Sequence, residues 1–107
     1  MPEFIQYRDE DGQEFVIPEL VMLDEETTED FLDRERDSIS RAVALAAMLL
    51  VEFDLKVVPT FAVEGLEVVF SLNRDDAAYS VDQCIAYFTE IEDYEKCAKL
   101  LNVKSKL

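Results

Sequence analysis

Ten consecutive apolar residues, Ala42 to Val51 (AVALAAMLLV), constrain this chain more than any other feature. A bilayer span takes about 20 such residues, and Glu52 and Asp54 follow at once, so the run reads as a helix buried in protein and not in lipid. Ile39 and Phe53 extend it at either end, and its apolar positions fall on every face. A helix through about residue 54 is therefore expected to be enclosed on all sides as the central helix of the fold. Upstream, Thr27-Thr28-Glu29-Asp30 offers a threonine N-cap and acids for a first turn, which places a helix start near residue 28. One helix over residues 28–54 and two helices broken near Asp37-Ser38 both fit, because Ser38 caps a new start as readily as it sits mid-helix.

Short β-prone stretches flank this region. Phe4 to Arg8 and Glu14 to Ile17 are separated by Asp9-Glu10-Asp11-Gly12, a hairpin turn in which glycine supplies a positive φ, and Pro18 is expected to end the second strand. Lys56 to Val63 and Leu66 to Leu72 flank Glu64-Gly65 as a second hairpin, with Pro59 placing its first strand at an edge or at a strand start. Helical spacing then returns: Val81, Cys84, Ile85, Phe88 and Ile91 form one set behind a Ser80 N-cap, and Tyr94, Cys97, Ala98 and Leu101 form another beyond Glu92-Asp93. The expectation is one acidic α+β domain over residues 1–107. Its two β-hairpins share a small antiparallel sheet packed on the buried central helix, and a helical hairpin closes the chain.

Charge narrows the function. The chain carries 25 acids and 10 basic residues, a net of −15, where small soluble domains typically hold a magnitude of about 2 to 8. Direct binding to a phosphate backbone is not expected. Histidine is absent, which removes imidazole triads and the commonest metal ligand. No Gly-rich phosphate loop or nucleophile elbow accompanies any carboxylate pair, so no enzyme activity, cofactor or metal site is expected. Asp9 to Glu14 fails the calcium-loop register and reads as a turn. Cys84 and Cys97 lie outside any CxxC pattern and read as small buried thiols of a reducing cytoplasm. Met1-Pro2-Glu3-Phe4 lacks the basic and apolar regions of a secretory start, and no membrane association is expected.

The acids are densest between Asp24 and Asp37. There Asp24, Glu25, Glu26, Glu29, Asp30, Asp33, Glu35 and Asp37 face only Arg34 and Arg36, a net of −6 over 14 residues. Glu26/Asp30, Glu29/Asp33 and Asp33/Asp37 would be like-charge i,i+4 pairs on a helix, each unfavourable by a few tenths of a kcal/mol. Such a run serves either as a solvated face or as a docking surface for a basic partner, with Asp24, Glu25, Glu26, Glu29, Asp30, Asp33 and Asp37 as its contacts. Residues 96–107 invert the sign, with four lysines and no acid, which suits a helix C-terminus.

Glu92-Asp93-Tyr94-Glu95-Lys96-Cys97-Ala98-Lys99-Leu100 resembles the second half of a UVR motif, the helical hairpin by which excision-repair subunits and some protease adaptors contact partners. Tyr94, Glu95, Ala98 and Leu100 match, Cys97 replaces a small residue, and Leu101 and Asn102 stand where the motif has Arg-Asp. The resemblance covers residues 81–102 and implies protein binding, with Tyr87, Tyr94 and Glu95 as a second contact surface. The same aromatic hairpin also offers a route to a homodimer. Three functions follow in order of expectation: a small cytoplasmic regulatory protein that binds a basic protein partner; a nucleic-acid mimic, of the kind phages and mobile elements make, that inhibits a DNA- or RNA-binding enzyme; and a carboxylate enzyme using Mg²⁺ or Mn²⁺.

Overall fold

A computed structural model describes residues 3–66 and 68–107 of the chain. Turn chemistry sets the first hairpin: the Asp9 carboxylate accepts the backbone N–H groups of Asp11 and Gln13 at 3.0 and 2.8 Å, and Gly12 takes φ +83°. This folds β1 (Glu3–Arg8) onto β2 (Glu14–Leu20), with Ile5 opposite Ile17 and Tyr7 opposite Phe15. Pro18 does not end the strand, which runs on to Leu20 with Pro18 opposite Phe4. It is tolerated because β2 has a ladder on one side only at that point. Gly65, at φ +86°, turns β3 (Val57–Val63) back into β4 (Val68–Asn73). The fourth strand was expected from Leu66, which lies in the turn; Glu67, like Met1 and Pro2 of the expected non-secretory start, lies outside the described residues.

The sheet has the order β1-β2-β3-β4 and is mixed, a correction to the antiparallel expectation. β2 and β3 run parallel, with Glu19 opposite Ala62 and Leu20 opposite Val63. The physical reason lies in residues 21–56, which carry two helices and so form the long crossover that parallel neighbours require. The sequence marks each hairpin locally but carries no local signal for how the two join.

That central seam is short. Continued backwards, its register would set Pro18 opposite Phe61 and Val16 opposite Pro59, yet pairing stops at Glu19. Proline has no N–H to give, so both strands lack a donor in the unzipped stretch. Thr60 is an extra residue in β3 between Pro59 and Phe61, and its hydroxyl donates to the Phe70 carbonyl at 2.7 Å. The bulge resets the alternation, bringing Val58 and Phe61, three apart, to the same face. Val58 packs beneath α2, and Phe61 joins Leu20, Phe31 and Val63.

Two helices occupy residues 28–52: α1 (Thr28–Arg34) and α2 (Arg36–Glu52), meeting at Glu35. Thr27 caps α1 by accepting the Asp30 N–H at 3.1 Å. The break precedes Asp37-Ser38 because the two helices bury toward different targets. Phe31 of α1 enters the small cluster with Leu20, Phe61 and Val63, whereas Ala44, Ala47 and Leu50 of α2 enter the main core. That core is completed by α3 (Ala77–Glu90) through Ala77, Val81, Cys84 and Phe88, and by α4 (Tyr94–Ser105) through Cys97, Leu100 and Val103. Ser80 is interior to α3 and does not cap it; a 3₁₀ turn, Arg74–Asp76, leads the chain into buried Ala77. Asp93 caps α4, its carboxylate accepting the Lys96 N–H.

Arg74 ties the helix ends together. Its guanidinium donates to the carbonyls of Leu50 and Leu55, at 3.1 and 3.2 Å, and of Lys106 at 3.3 Å. These carbonyls lie at or beyond the C-terminal ends of α2 and α4, where intrahelical donors run out. The enclosure expected of residues 39–54 is corrected: Leu45 is 55% exposed and Phe53 62%. On that side of α2 a gap opens beside the short β2–β3 seam, although Phe15 of the β1–β2 hairpin still packs on the main core. Among the described residues, no helix is long and apolar enough to cross a membrane.

Candidate functional site

The acidic segment is built around one cation. Arg34, the last residue of α1, grips both Glu26 carboxylate oxygens through Nε and Nη2 at 2.8 and 3.0 Å, reaches Glu35 at 2.6 Å, and donates to the Val21 carbonyl at 2.6 Å. Glu26 also accepts the Leu23 N–H at 3.0 Å. The guanidinium beside it and that backbone donor lower the Glu26 pKa from 4.5 to about 2, and the pairing raises that of Arg34. Glu26 is thus a staple that folds residues 21–26 back onto α1, and its side chain is only 9% exposed.

Asp37 is likewise engaged. It accepts from Arg41 Nε at 2.8 Å and from the Tyr87 hydroxyl, and these two partners hold its pKa below the ordinary value. The same bond raises the tyrosine, whose half-buried ring lies 5.0 Å beneath the Arg36 guanidinium. Of the seven acids read from the sequence, Asp24, Glu25, Glu29, Asp30 and Asp33 are exposed and make no ion pair among the described residues. Only Glu29 and Asp33 share a helix as an i,i+4 pair, since Glu26 precedes the cap and Asp37 lies beyond the break. Of the second contact set, Tyr87 is held by Asp37, while Tyr94, 61% exposed, and Glu95 stand clear at the start of α4.

Sequence reasoning missed a groove next to the acidic segment. It has a volume of about 1420 Å³ and lies between the β1–β2 hairpin and α2. Its α2 wall is a helical stripe, Ala42, Leu45, Leu49 and Phe53, and its hairpin wall includes Phe4 and Val16. Fifteen large apolar side chains remain exposed in the described residues, and six of them line this one groove: Phe4, Val16, Val21, Leu23, Leu45 and Phe53. Scattered exposed apolar residues need no explanation, whereas their concentration in one concavity makes the groove a candidate site. Arg34, Glu35, Asp37 and Arg41 form its edge where α1 meets α2, so the groove adjoins the acidic segment. The one available signal was the alternation of Phe4, Val16 and the 45/49/53 spacing, which is the signal of ordinary core.

Both cysteines are buried and unbridged. Burial pushes the Cys84 thiol up to about 11, which keeps it protonated and unreactive at neutral pH. Among the described residues, no group of three or more Cys, Asp and Glu is placed to hold a metal ion. No family model, curated protein or solved structure matches this chain. The resemblance of residues 81–102 to a UVR hairpin rests on its own residues alone.

Proposed function

We propose that this protein is a non-catalytic regulatory module of a reducing, cytoplasmic compartment that captures a protein partner through a basic surface of that partner. The observation that carries this reading is the state of the acidic segment. Its five outward acids, Asp24, Glu25, Glu29, Asp30 and Asp33, are unneutralised, while the Glu26–Arg34 staple and the Asp37–Arg41–Tyr87 contacts hold their backbone in place. A merely solvated run needs no such fixture. Across the described residues only eight of the chain's 25 acids sit in an ion pair, so a strong negative field surrounds the segment. Such a field raises the rate of encounter with a cationic surface and falls with ionic strength.

The test is affinity capture from the native host at low salt. Wild type is compared with Glu29→Gln/Asp30→Asn/Asp33→Asn, and captured proteins are identified by mass spectrometry. A basic protein enriched by wild type and lost by the variant is the expected result; equal capture by both removes the acidic segment from the mechanism. If the captured protein binds nucleic acid, competition separates the readings. Displacement of nucleic acid by wild type marks mimicry, and simultaneous binding marks a docking module.

A further inference from the structure

The groove beside α2 has a shape, a lining and a charge that together select one kind of occupant. We propose that it seats an amphipathic helix of the partner, with apolar residues at i, i+3/i+4 spacing on one side and lysines or arginines along its flanks. This rests on the reading of the protein as a binder of basic partners and names the element of the partner that is held.

Three observations lead there. First, Leu45 and Leu49 of α2, continued by Phe53 at its C-cap, form an i, i+4, i+8 ridge, and such a ridge packs against the groove of a second helix. A guest helix is about 10 Å across and rises 1.5 Å per residue, so a 1420 Å³ groove takes roughly ten residues, close to three turns. Second, a guest strand is disfavoured. The two strand edges that border the gap carry Pro18 and Pro59, neither of which has an N–H to donate to a ladder.

Third, the rim is acidic. Glu3, Glu14, Glu19, Glu35, Asp37 and Glu64 line it, against two cations, Arg34 and Arg41, that already hold Glu26, Glu35 and Asp37. Glu3 and Glu19 pair across the strands on the sheet face opposite Phe4, Val16 and Pro18, which leaves Glu64, Glu35 and Asp37 as acids beside the apolar wall, and Glu64 makes no ion pair among the described residues. A cationic flank supplies the counter-charge that this rim lacks. A second copy of this chain brings a net charge of −15 to the same rim and is the wrong occupant.

The probe is a synthetic fluorescein-labelled 14-residue peptide of Leu and Lys, with Leu at i, i+3/i+4 positions, measured by fluorescence anisotropy. One control has the same composition with the leucines dispersed around the helix, and another replaces each Lys by Glu. The groove variant is Leu45→Ser/Phe53→Ser; both positions are more than half exposed, and circular dichroism melts verify the fold. The expected result is at least tenfold weaker binding of the Leu/Lys peptide by the groove variant, and at least tenfold preference by wild type for that peptide over either control. Wild-type affinity in the groove variant overturns the groove proposal, and so does equal binding of the Glu peptide.

The Glu29→Gln/Asp30→Asn/Asp33→Asn variant separates the two readings. If it loses the peptide while the groove variant does not, the acidic face stands and the groove falls. As a second readout, amide chemical shifts of wild type on titration with the Leu/Lys peptide should move along Leu45–Phe53 and β2. Shifts confined to α3 and α4 contradict the proposal.

Discussion

The two sides of α2 are made of the same kind of residue and have opposite fates. On one side Ala44, Ala47 and Leu50 are closed off by α3, α4 and Val58 of β3, with Ala47 and Leu50 at 0% exposure. On the other, Leu45 and, at the C-cap, Phe53 look into an open groove, with half-buried Leu49 touching both groove and core. Nothing in residue type separates Leu50 from Leu45. What separates them is whether a neighbouring element reaches them, and that depends on a strand seam only two residue pairs long. Burial here is a property of the partner element and not of the side chain. An apolar run that looks uniformly buried can therefore hold a core face and an open face back to back.

The largest effect should come from the closed side. Leu50→Ala removes a fully enclosed side chain and is expected to cost about 3 kcal/mol, whereas Phe53→Ala is expected to change stability by less than about 0.5 kcal/mol. Urea unfolding of the two variants checks this, and similar losses would mean that the sides do not differ. Next in size is Arg74→Ala, which strips three carbonyls around the ends of α2 and α4 of a charged donor. A loss of about 2 kcal/mol is expected by the same measurement.

On the groove side the staple can be broken by pH. The Glu26 pKa lies below its ordinary 4.5, so its pairing stabilises the fold fully above that value, and the contribution fades as pH falls from 4.5 toward 2. Glu26→Gln should be less stable than wild type at pH 7, with the gap closing across that window in thermal melts. A constant gap would mean that the charge on Glu26 is not what holds the loop. The smallest effect is expected from Glu29→Gln/Asp30→Asn/Asp33→Asn. It removes two acids that favour the start of α1 together with a like-charge pair and an acid at the unfavourable end, terms that oppose one another. Stability within about 0.5 kcal/mol of wild type is the expected outcome. Glu26 is left intact in this variant so that binding and folding are read separately.

What was legible in the sequence was local chemistry. Asp9 to Gly12 and Glu64-Gly65 announce hairpins, Thr27 announces a helix start, and the three- and four-residue steps in Val81, Cys84 and Phe88 announce α3. Each depends on residues within one turn of one another. The parallel seam, the break at Glu35 and the double role of the acidic segment depend on residues distant in sequence or on tertiary direction. Arg34 contacts Val21 and Glu26, eight to thirteen residues back, and Asp37 meets Tyr87 fifty residues on. Counting charges offered seven acids as one contact surface; only the fold shows that Glu26 and Asp37 hold the segment while the other five face outward. The groove was illegible for a related reason, since Leu45 to Phe53 carries the same spacing whether a neighbour covers it or not.

Two adjoining surfaces are proposed to share the partner, an acidic one to attract and an apolar one to retain, and rate constants distinguish them. Surface plasmon resonance of the captured partner at low and moderate salt, on wild type, Glu29→Gln/Asp30→Asn/Asp33→Asn and Leu45→Ser/Phe53→Ser, measures both at once. The acidic variant should associate about tenfold more slowly at low salt, with the difference shrinking as salt rises, while its dissociation rate stays near wild type. The groove variant should associate normally and dissociate at least tenfold faster at both salt concentrations. Wild-type association and dissociation rates in both variants would contradict the account, reducing the acidic segment to a solvated surface and the groove to an unused gap in the sheet.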